Sequence, residues 1–187
     1  MRTIENISQD IYYIINKSKF ISLAYPVSSE EECKDILSTL KKKYSDATHV
    51  CFAYILDSPR LEKCSDDGEP SGTAGRPILE VIKKKKISNV LCAVVRYFGG
   101  KKLGAGGLIR AYTTSINMVL EKVNIVDKEE TIKFDIEVDI KDGDKLKNMC
   151  SRLGANVINC KYSDRVSMTI EAGTEDIKDK ILSGLWK

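Results

Sequence analysis

A glycine-rich basic segment, residues 96–110, has the residue types of an anion-binding site. Five glycines lie in nine residues: Gly99, Gly100, Gly104, Gly106 and Gly107. The cations of the segment are Arg96, Lys101, Lys102 and Arg110. Glycine permits positive φ angles and lets a partner approach the backbone without a Cβ in the way. Because an amphipathic helix follows, its first amides would face the same partner, and the pattern predicts a cradle for phosphate.

The segment matches neither of the common nucleotide-binding signatures. It lacks the GK[ST] ending of a P-loop, and no Gly-x-Gly-x-x-Gly opens the helix with a ribose-binding acid behind it. A generic nucleotide hydrolase is therefore disfavoured. The alternative that the glycines only turn a corner, while the lysines are solvated, stays open.

A second segment, Ser65–Pro77, combines three acids, three glycines and two prolines. This composition cannot continue a helix or a central strand, and it predicts an ordered functional loop. The acids are Asp66, Asp67 and Glu69. We expect these carboxylates to organise the loop and to orient Arg76 or Arg96. Two alternatives are turn chemistry, in which aspartates bond their own backbone, and a Mg²⁺ ion that bridges to a phosphate.

No arrangement of nucleophile and base is evident in the chain. His49 is the only histidine, and a pair with Cys51 or Cys64 would lack a recognisable third, orienting group. The six cysteines form no CxxC pair, and none has a ligand spacing from His49. We therefore predict free thiols in a reducing cytoplasm, no catalytic residue, no metal and no cofactor.

The composition is that of a soluble globular protein. The 187 residues are 42% hydrophobic and 30% charged, which is enough to bury a core in one or two domains. The net charge is +3, and because the basic excess lies in residues 1–127, a polyanion should prefer that part. No apolar run approaches the length of a membrane span and the first residues show no signal core, so a cytoplasmic location is predicted.

Apolar periodicity predicts the elements that position the two segments. Strands are predicted over residues 10–15, 19–26, 49–56 and 90–97, and helices over residues 29–44, 74–86 and 108–123. A long loop is predicted from Asp57 to the helix that opens at Ala74. The glycine-rich segment is predicted as a loop that ends at Gly107, with the amphipathic helix leaving it at Leu108.

The last third of the chain has its own pattern, β-α-β-β-α, after a joint at residues 126–130. Strands are predicted over residues 131–140, 156–162 and 165–171, and helices over residues 142–153 and from Thr174 onwards. This order is five-sixths of a ferredoxin-like unit, and its last edge strand is predicted to be missing. The chain is thus expected to hold two domains, residues 1–127 and 128–187.

Two composite motifs resemble the Impact family, specifically its bacterial YigZ-type members. They are DDGEPSGTAGRP at residues 66–77 and VVRYFGGKKLGAGGLIRAY at residues 94–112. Lys17–Ile21 and Ala47–His49 also resemble that family's opening signature, so the match spans roughly residues 8–125. The resemblance implies an α+β fold with an N-terminal domain like the second domain of ribosomal small-subunit protein five. It also implies a smaller ferredoxin-like domain similar to the last domain of elongation factor G.

The resemblance further implies a link to translation. Eukaryotic relatives regulate initiation by binding the ribosome-associated coactivator of the amino-acid-starvation kinase, a partner that we do not carry over to this chain. The sequence therefore favours a cytoplasmic, non-catalytic regulator that binds RNA or the ribosome. Its cations Arg76, Arg96, Lys101, Lys102 and Arg110 would neutralise phosphates, and Tyr97 or Phe98 would stack on a base.

Two other functions stay open. The first is a small phosphate-handling enzyme, in which carboxylates beside a glycine loop manage Mg²⁺-nucleotide chemistry. The second is an adaptor that binds only protein. The RNA hypothesis requires the acidic Ser65–Pro77 segment and the basic segment to meet on one wall of the first domain.

Overall fold

The structure is a computed structural model that describes residues 2–127 and 131–185. It divides into two compact units, Met1–Lys128 and Glu129–Lys187, which we call the first and second units. Each unit contains helices and strands, so the predicted mixed α and β fold is confirmed. In the described ranges, no helix combines the length and the apolar character needed to cross a bilayer.

The first unit is built on an antiparallel sheet with the strand order β2-β3-β6-β4-β5. The strands are β1 (Arg2–Ile4), β2 (Ile11–Ile15), β3 (Ser18–Pro26), β4 (His49–Asp57), β5 (Arg60–Ser65), β6 (Val90–Tyr97) and β7 (Ile125–Asp127). The helices are α1 (Glu30–Lys43), α2 (Gly75–Lys85) and α3 (Gly104–Leu120). One face of the sheet carries α2 and α3, and the other face carries α1.

The central strand β6 is apolar on both faces because helices cover both. Val90, Cys92 and Val94 belong to the core beneath α2 and α3, while Ala93 and Val95 pack towards α1. Successive side chains of a strand point to opposite faces. The last two residues of β6, Arg96 and Tyr97, therefore project to opposite sides of the sheet.

The topology brings the starts of α2 and α3 to the same edge of the sheet. β5 and β6 both pair antiparallel with β4, so they run in the same direction. Helix α2 returns from the end of β5 to the start of β6, and α3 leaves the end of β6. The loop before α2 and the loop before α3 consequently lie at one end of the first unit.

A short ladder outside the main sheet pairs β1 with β7 in antiparallel fashion, with Ile4 opposite Ile125. Ile4 is fully buried in the core beneath α2 and α3. The sequence pattern did not predict either strand. Of the predicted joint at residues 126–130, Val126 and Asp127 belong to β7, and the remaining residues lie outside the described ranges.

The second unit contains β8 (Ile132–Val138), α4 (Gly143–Leu153), β9 (Asn156–Tyr162), β10 (Val166–Ala172) and α5 (Glu175–Gly184). Its antiparallel sheet has the order β8-β10-β9, and Leu146, Met168 and Ile181 lie in its core. The β-α-β-β-α order agrees with the sequence pattern. The missing edge strand and the two named domain analogies stay predictions, since residues 186 and 187 lie outside the described ranges.

The predicted long loop after Asp57 is wrong in its first half. Residues 60–65 form β5, which pairs with β4 from Asp57↔Arg60 to Phe52↔Ser65. β5 is an edge strand with half-buried and exposed residues, so it lacks the apolar run that marks an inner strand. The loop proper therefore begins after Ser65.

The predicted start of the third helix is also wrong. α3 begins at Gly104 rather than at Leu108, so three glycines of the basic segment lie in its first turn. The loop between β6 and α3 is consequently residues 98–103. Gly104, Ala105 and Gly106 are exposed, and apolar periodicity becomes visible only where the helix starts to pack on the sheet.

Candidate functional site

A buried ion pair joins the Ser65–Pro77 loop to the end of β6. Glu69 Oε1 accepts a hydrogen bond from Arg96 Nη1 (2.6 Å) and another from the hydroxyl of Tyr112 on α3 (2.7 Å). The Glu69 and Arg96 side chains are only 3% and 5% exposed. The two segments that the sequence singled out therefore meet on the α2/α3 side of the sheet, as the RNA hypothesis requires.

Two residues of β4 extend this ion pair into what we call the buried cluster: His49, Cys51, Glu69, Arg96 and Tyr112. Cys51 Sγ lies 3.3 Å from the Tyr112 hydroxyl. His49 Nδ1 lies 2.8 Å from the carbonyl oxygen of Asp67, and His49 Nε2 lies 3.8 Å from Glu69 Oε2. His49 and Cys51 share one face of β4, and the backbone of His49 pairs with that of Arg96 across the strands.

The Cys51 thiol is buried and protonated in this setting. Burial raises the pKa of Cys51 to about 12, so the thiol is protonated at neutral pH. Burial, together with Cys51 and Glu69, also raises the pKa of Tyr112. Sequence reasoning considered His49 and Cys51 only as an isolated pair and gave Tyr112 no role. The shared face of β4 was the signal that could have grouped the first two.

Asp66 caps the start of α2. Its Oδ1 accepts the amides of Ala74 (3.0 Å) and Gly75 (2.8 Å), and its Oδ2 accepts the amide of Gly72 (2.8 Å). Asp67 instead accepts the amide of Val50 (2.7 Å) and the ammonium group of Lys41 (2.7 Å). Each aspartate therefore holds the loop through its own donors.

The carboxylates of Asp66, Asp67 and Glu69 thus contact different partners. Glu69 alone contacts Arg96, and Arg76 is an exposed residue in the first turn of α2. Across residues 2–127 and 131–185, no group of three or more His, Cys, Asp or Glu side chains has a geometry that could hold a metal ion. Each of the three loop acids accepts hydrogen bonds from protein donors.

We expect Asp66→Asn to lower the free energy of unfolding by about 1–3 kcal/mol at neutral pH, because the amide nitrogen that replaces one carboxylate oxygen cannot accept a backbone amide and leaves that donor unpaired. Burial raises the pKa of Asp66, but the amides of Gly72, Gly75 and Ala74 outweigh it and hold the pKa below the ordinary value of an aspartate. A group with a lowered pKa stabilises the fold above its unfolded pKa and loses that contribution as the pH falls.

Urea unfolding at several pH values measures this effect. The difference between the wild type and Asp66→Asn should shrink as the pH falls below about 4. Asp35→Asn, on the exposed face of α1, is the control and should change stability by less than about 0.5 kcal/mol. A difference that stays constant from neutral to acid pH would contradict the capping role.

The glycine-rich loop is anchored at its first residues. The Phe98 amide donates to Thr48 Oγ1 (3.0 Å), and the Gly99 amide donates to Ser18 Oγ (3.2 Å). A Cβ on Gly99 would lie far inside contact distance of the Lys17 carbonyl carbon, so the loop rests directly on the turn between β2 and β3.

The first turn of α3 is open in comparison. Among residues 2–127 and 131–185, no side chain accepts a hydrogen bond from the amides of Gly104, Ala105 or Gly106, and these residues are exposed. The start of α2 is occupied by the Asp66 carboxylate, whereas the start of α3 has no carboxylate in its first turn. The positive end of the α3 helix dipole therefore faces solvent.

Four predicted phosphate-binding cations surround these helix starts: Arg76, Lys101, Lys102 and Arg110. All four are exposed, and in the described part of the chain none forms an ion pair with an acidic side chain. Phe98 is 47% exposed and lies over the Arg96 guanidinium, with 5.6 Å from its ring centroid to Arg96 Cζ. It has the exposed aromatic surface that stacking on a base requires.

The structure separates two predicted site residues from this surface. Arg96 is buried, and its guanidinium donates to Glu69 and lies over the ring of Phe20. Tyr97 lies on the α1 face of the sheet, where its hydroxyl donates to Asp46 (2.8 Å) and the Lys19 ammonium covers its ring. We therefore leave both residues out of the interface proposed below.

The Impact N-terminal domain model matches residues 16–120, which include every member of the buried cluster. The chain belongs to the Impact family. The resemblance stated from the motifs is thereby confirmed. The chain is 46% identical over 117 residues to the IMPACT family member YvyE of Bacillus subtilis (strain 168), covering 62% of this chain and 54% of that protein. The match thus spans about half the length of the Bacillus protein.

Two further comparisons cover more of this Impact-family chain. It is 28% identical over 159 residues to the IMPACT family member YigZ of Escherichia coli (strain K12), covering 83% of this chain and 78% of that protein. A crystal structure of a hypothetical protein has a TM-score of 0.77 and 24% identity, covering 98% of this chain and 90% of the other. That structure has the same fold.

Proposed function

We propose that this Impact-family protein is a cytoplasmic regulator of translation that binds RNA, free or in the ribosome, through the adjoining starts of α2 and α3. The open first turn of α3, with Lys101, Lys102 and Arg110 exposed around it, is the observation that carries the proposal. Helix starts with free amides attract phosphate, and exposed cations release counterions when they bind it. The link to translation rests on the family to which the chain belongs.

An RNA strand suits this surface better than a free nucleotide does. The cations are distributed over two elements, Arg76 on α2 and the others at the start of α3, which favours a backbone with several phosphates. Phe98 adds an exposed aromatic face of the kind that stacks on unpaired bases. The carboxylates of the Ser65–Pro77 loop are engaged by protein donors, which gives the Mg²⁺-nucleotide enzyme less support.

The double variant Lys101→Glu/Lys102→Glu should bind single-stranded ribosomal RNA about 100-fold more weakly than the wild type at low salt. The change removes two of the four expected phosphate contacts, and the new glutamates repel the RNA phosphates. Four contacts give a slope of about −3 for log K against log[KCl], and the variant should reduce it to about −1. Fluorescence anisotropy with a labelled RNA fragment over a KCl series measures both quantities.

The matched control is Lys42→Glu/Lys122→Glu, which makes the same charge change on α1 and beyond the far end of α3. Both lysines are exposed, and the control should retain most of the affinity. A flat salt dependence, or equal losses in the two double variants, would refute the proposed interface. Stabilisation by ATP with Mg²⁺ would favour the enzyme, and ribosome association that survives nuclease would favour the protein-only adaptor.

A further inference from the structure

The hydrogen bond of His49 determines which of its ring nitrogens carries the proton. Nδ1 lies 2.8 Å from the carbonyl oxygen of Asp67, and a carbonyl oxygen can only accept. Nδ1 is therefore the protonated nitrogen of the neutral ring. Nε2 is then left with a free lone pair, which points towards the buried cluster.

Glu69 presents a second acceptor at the same place. Its Oε1 receives both available donors, from Arg96 and Tyr112. Among the described residues no donor forms a hydrogen bond with Oε2, and His49 Nε2 is 3.8 Å away. The Glu69 side chain is more than nine-tenths buried, and Oε2 is the carboxylate oxygen that receives no protein donor among the described residues. The two atoms form what we call the acceptor pair.

The charges of the cluster favour an uncharged donor for the acceptor pair. The Glu69 carboxylate is already neutralised by Arg96 at 2.6 Å. A ligand ammonium group would face the Arg96 guanidinium across the same carboxylate, and His49 is the cross-strand neighbour of Arg96. A hydroxyl group donates without adding charge. The His49 side chain is 19% exposed, so it forms the accessible wall of the site.

Phe98 lies next to this site. Its ring covers the Arg96 guanidinium, and its amide bonds to the hydroxyl of Thr48, the neighbour of His49. A base that stacks on Phe98 would bring its ribose towards the acceptor pair. The ribose 2′-hydroxyl is an uncharged donor that RNA has and DNA lacks.

We propose that His49 Nε2 and Glu69 Oε2 accept the ribose 2′-hydroxyl of a nucleotide stacked on Phe98, and thereby make the protein prefer RNA to DNA. This inference rests on the proposed RNA-binding function and adds a specificity determinant to it. The hydroxyl donates its single proton to His49 Nε2, the more accessible acceptor, and Glu69 Oε2 shares that proton as the second acceptor. The cations around the helix starts contact phosphates, so they should bind RNA and DNA equally well.

The test compares three single-stranded oligonucleotides of one sequence: RNA, DNA and 2′-O-methyl RNA. The methyl ether keeps the oxygen but removes the donor. The wild type should bind RNA about 3- to 10-fold more tightly than the other two, the range expected for one net hydrogen bond. His49→Phe keeps a ring but removes Nε2, so it should bind all three with the wild-type affinity for DNA.

Glu69→Gln is the second variant. Its amide nitrogen can donate a hydrogen bond to His49 Nε2 and so take the place of the ribose 2′-hydroxyl. The preference for RNA should therefore again disappear. Lys101→Ala should weaken binding to all three oligonucleotides equally, and thermal unfolding reports whether each variant is folded. Three outcomes would overturn this inference but leave the RNA-binding proposal standing. They are equal binding of RNA and DNA by the wild type, equal binding of RNA and 2′-O-methyl RNA by the wild type, and an unchanged preference for RNA in both variants. No binding of any oligonucleotide would overturn it together with the proposed function.

Discussion

Gly99→Ala is expected to lower the free energy of unfolding by about 3 kcal/mol or more, at the upper end for overpacking. A Cβ at this position would lie far inside contact distance of backbone atoms of Lys17 and Ser18. Backbone cannot swing aside as a flexible side chain can, so the loop or the β2–β3 turn must move. The φ of Gly99 is not in the left-handed region, so the effect is steric.

Urea unfolding of Gly99→Ala and Gly106→Ala tests this prediction. Gly106 lies in the first turn of α3, where the nearest atom to a new Cβ is Arg110 Nη1 at an ordinary 3.6 Å. Alanine there should be neutral or stabilising by up to about 1 kcal/mol, because glycine is a poor helix residue. Equal effects of the two substitutions would contradict the close contact at Gly99.

The second large effect is expected from breaking the Glu69–Arg96 pair. Glu69→Ala should lower the free energy of unfolding by about 3–5 kcal/mol, because it leaves a buried guanidinium without its carboxylate. Arg96 Nε already has no partner within the described residues, and Nη2 reaches only Ser18 Oγ at 3.4 Å. Within the described ranges no other acid forms an ion pair with Arg96.

A double-mutant cycle with Arg96→Met separates the pair from its surroundings. The double variant should be more stable than the sum of the single losses predicts, since removing both charges avoids an unpaired one. The exposed pair Asp176–Lys180 on α5 is the control, and its coupling should be about 0.5 kcal/mol or less. Strict additivity at Glu69 and Arg96 would contradict a coupled buried pair.

Periodicity predicted the strand β6 and the apolar face of α3, because burial against a layer imposes a regular spacing. It did not decide whether the loop acids would orient Arg76 or Arg96. That choice depends on the path of the chain after Ser65, which Asp66 fixes by capping α2. Asp66 lies eight and nine positions before the two amides that it accepts, Ala74 and Gly75, so no local sequence motif marks this cap.

The buried cluster could not be assembled from the sequence for a related reason. His49, Glu69 and Tyr112 are far apart in the chain and meet only through strand register and the packing of α3. The opposite faces of Arg96 and Tyr97, in contrast, follow from strand alternation alone. The grouping of both residues in one interface overlooked that alternation.

The ladder between β1 and β7 has a consequence for how the first unit assembles during synthesis. Its partners, such as Ile4 and Ile125, lie near opposite ends of the unit's sequence. A growing chain can complete the five-stranded sheet and the buried cluster once α3 has emerged, but these last main-chain pairs must wait for Ile125–Asp127. The β1–β7 pairs therefore form last, although the Arg2 carbonyl oxygen also accepts the Ser88 amide (2.9 Å), a partner that is synthesised much earlier.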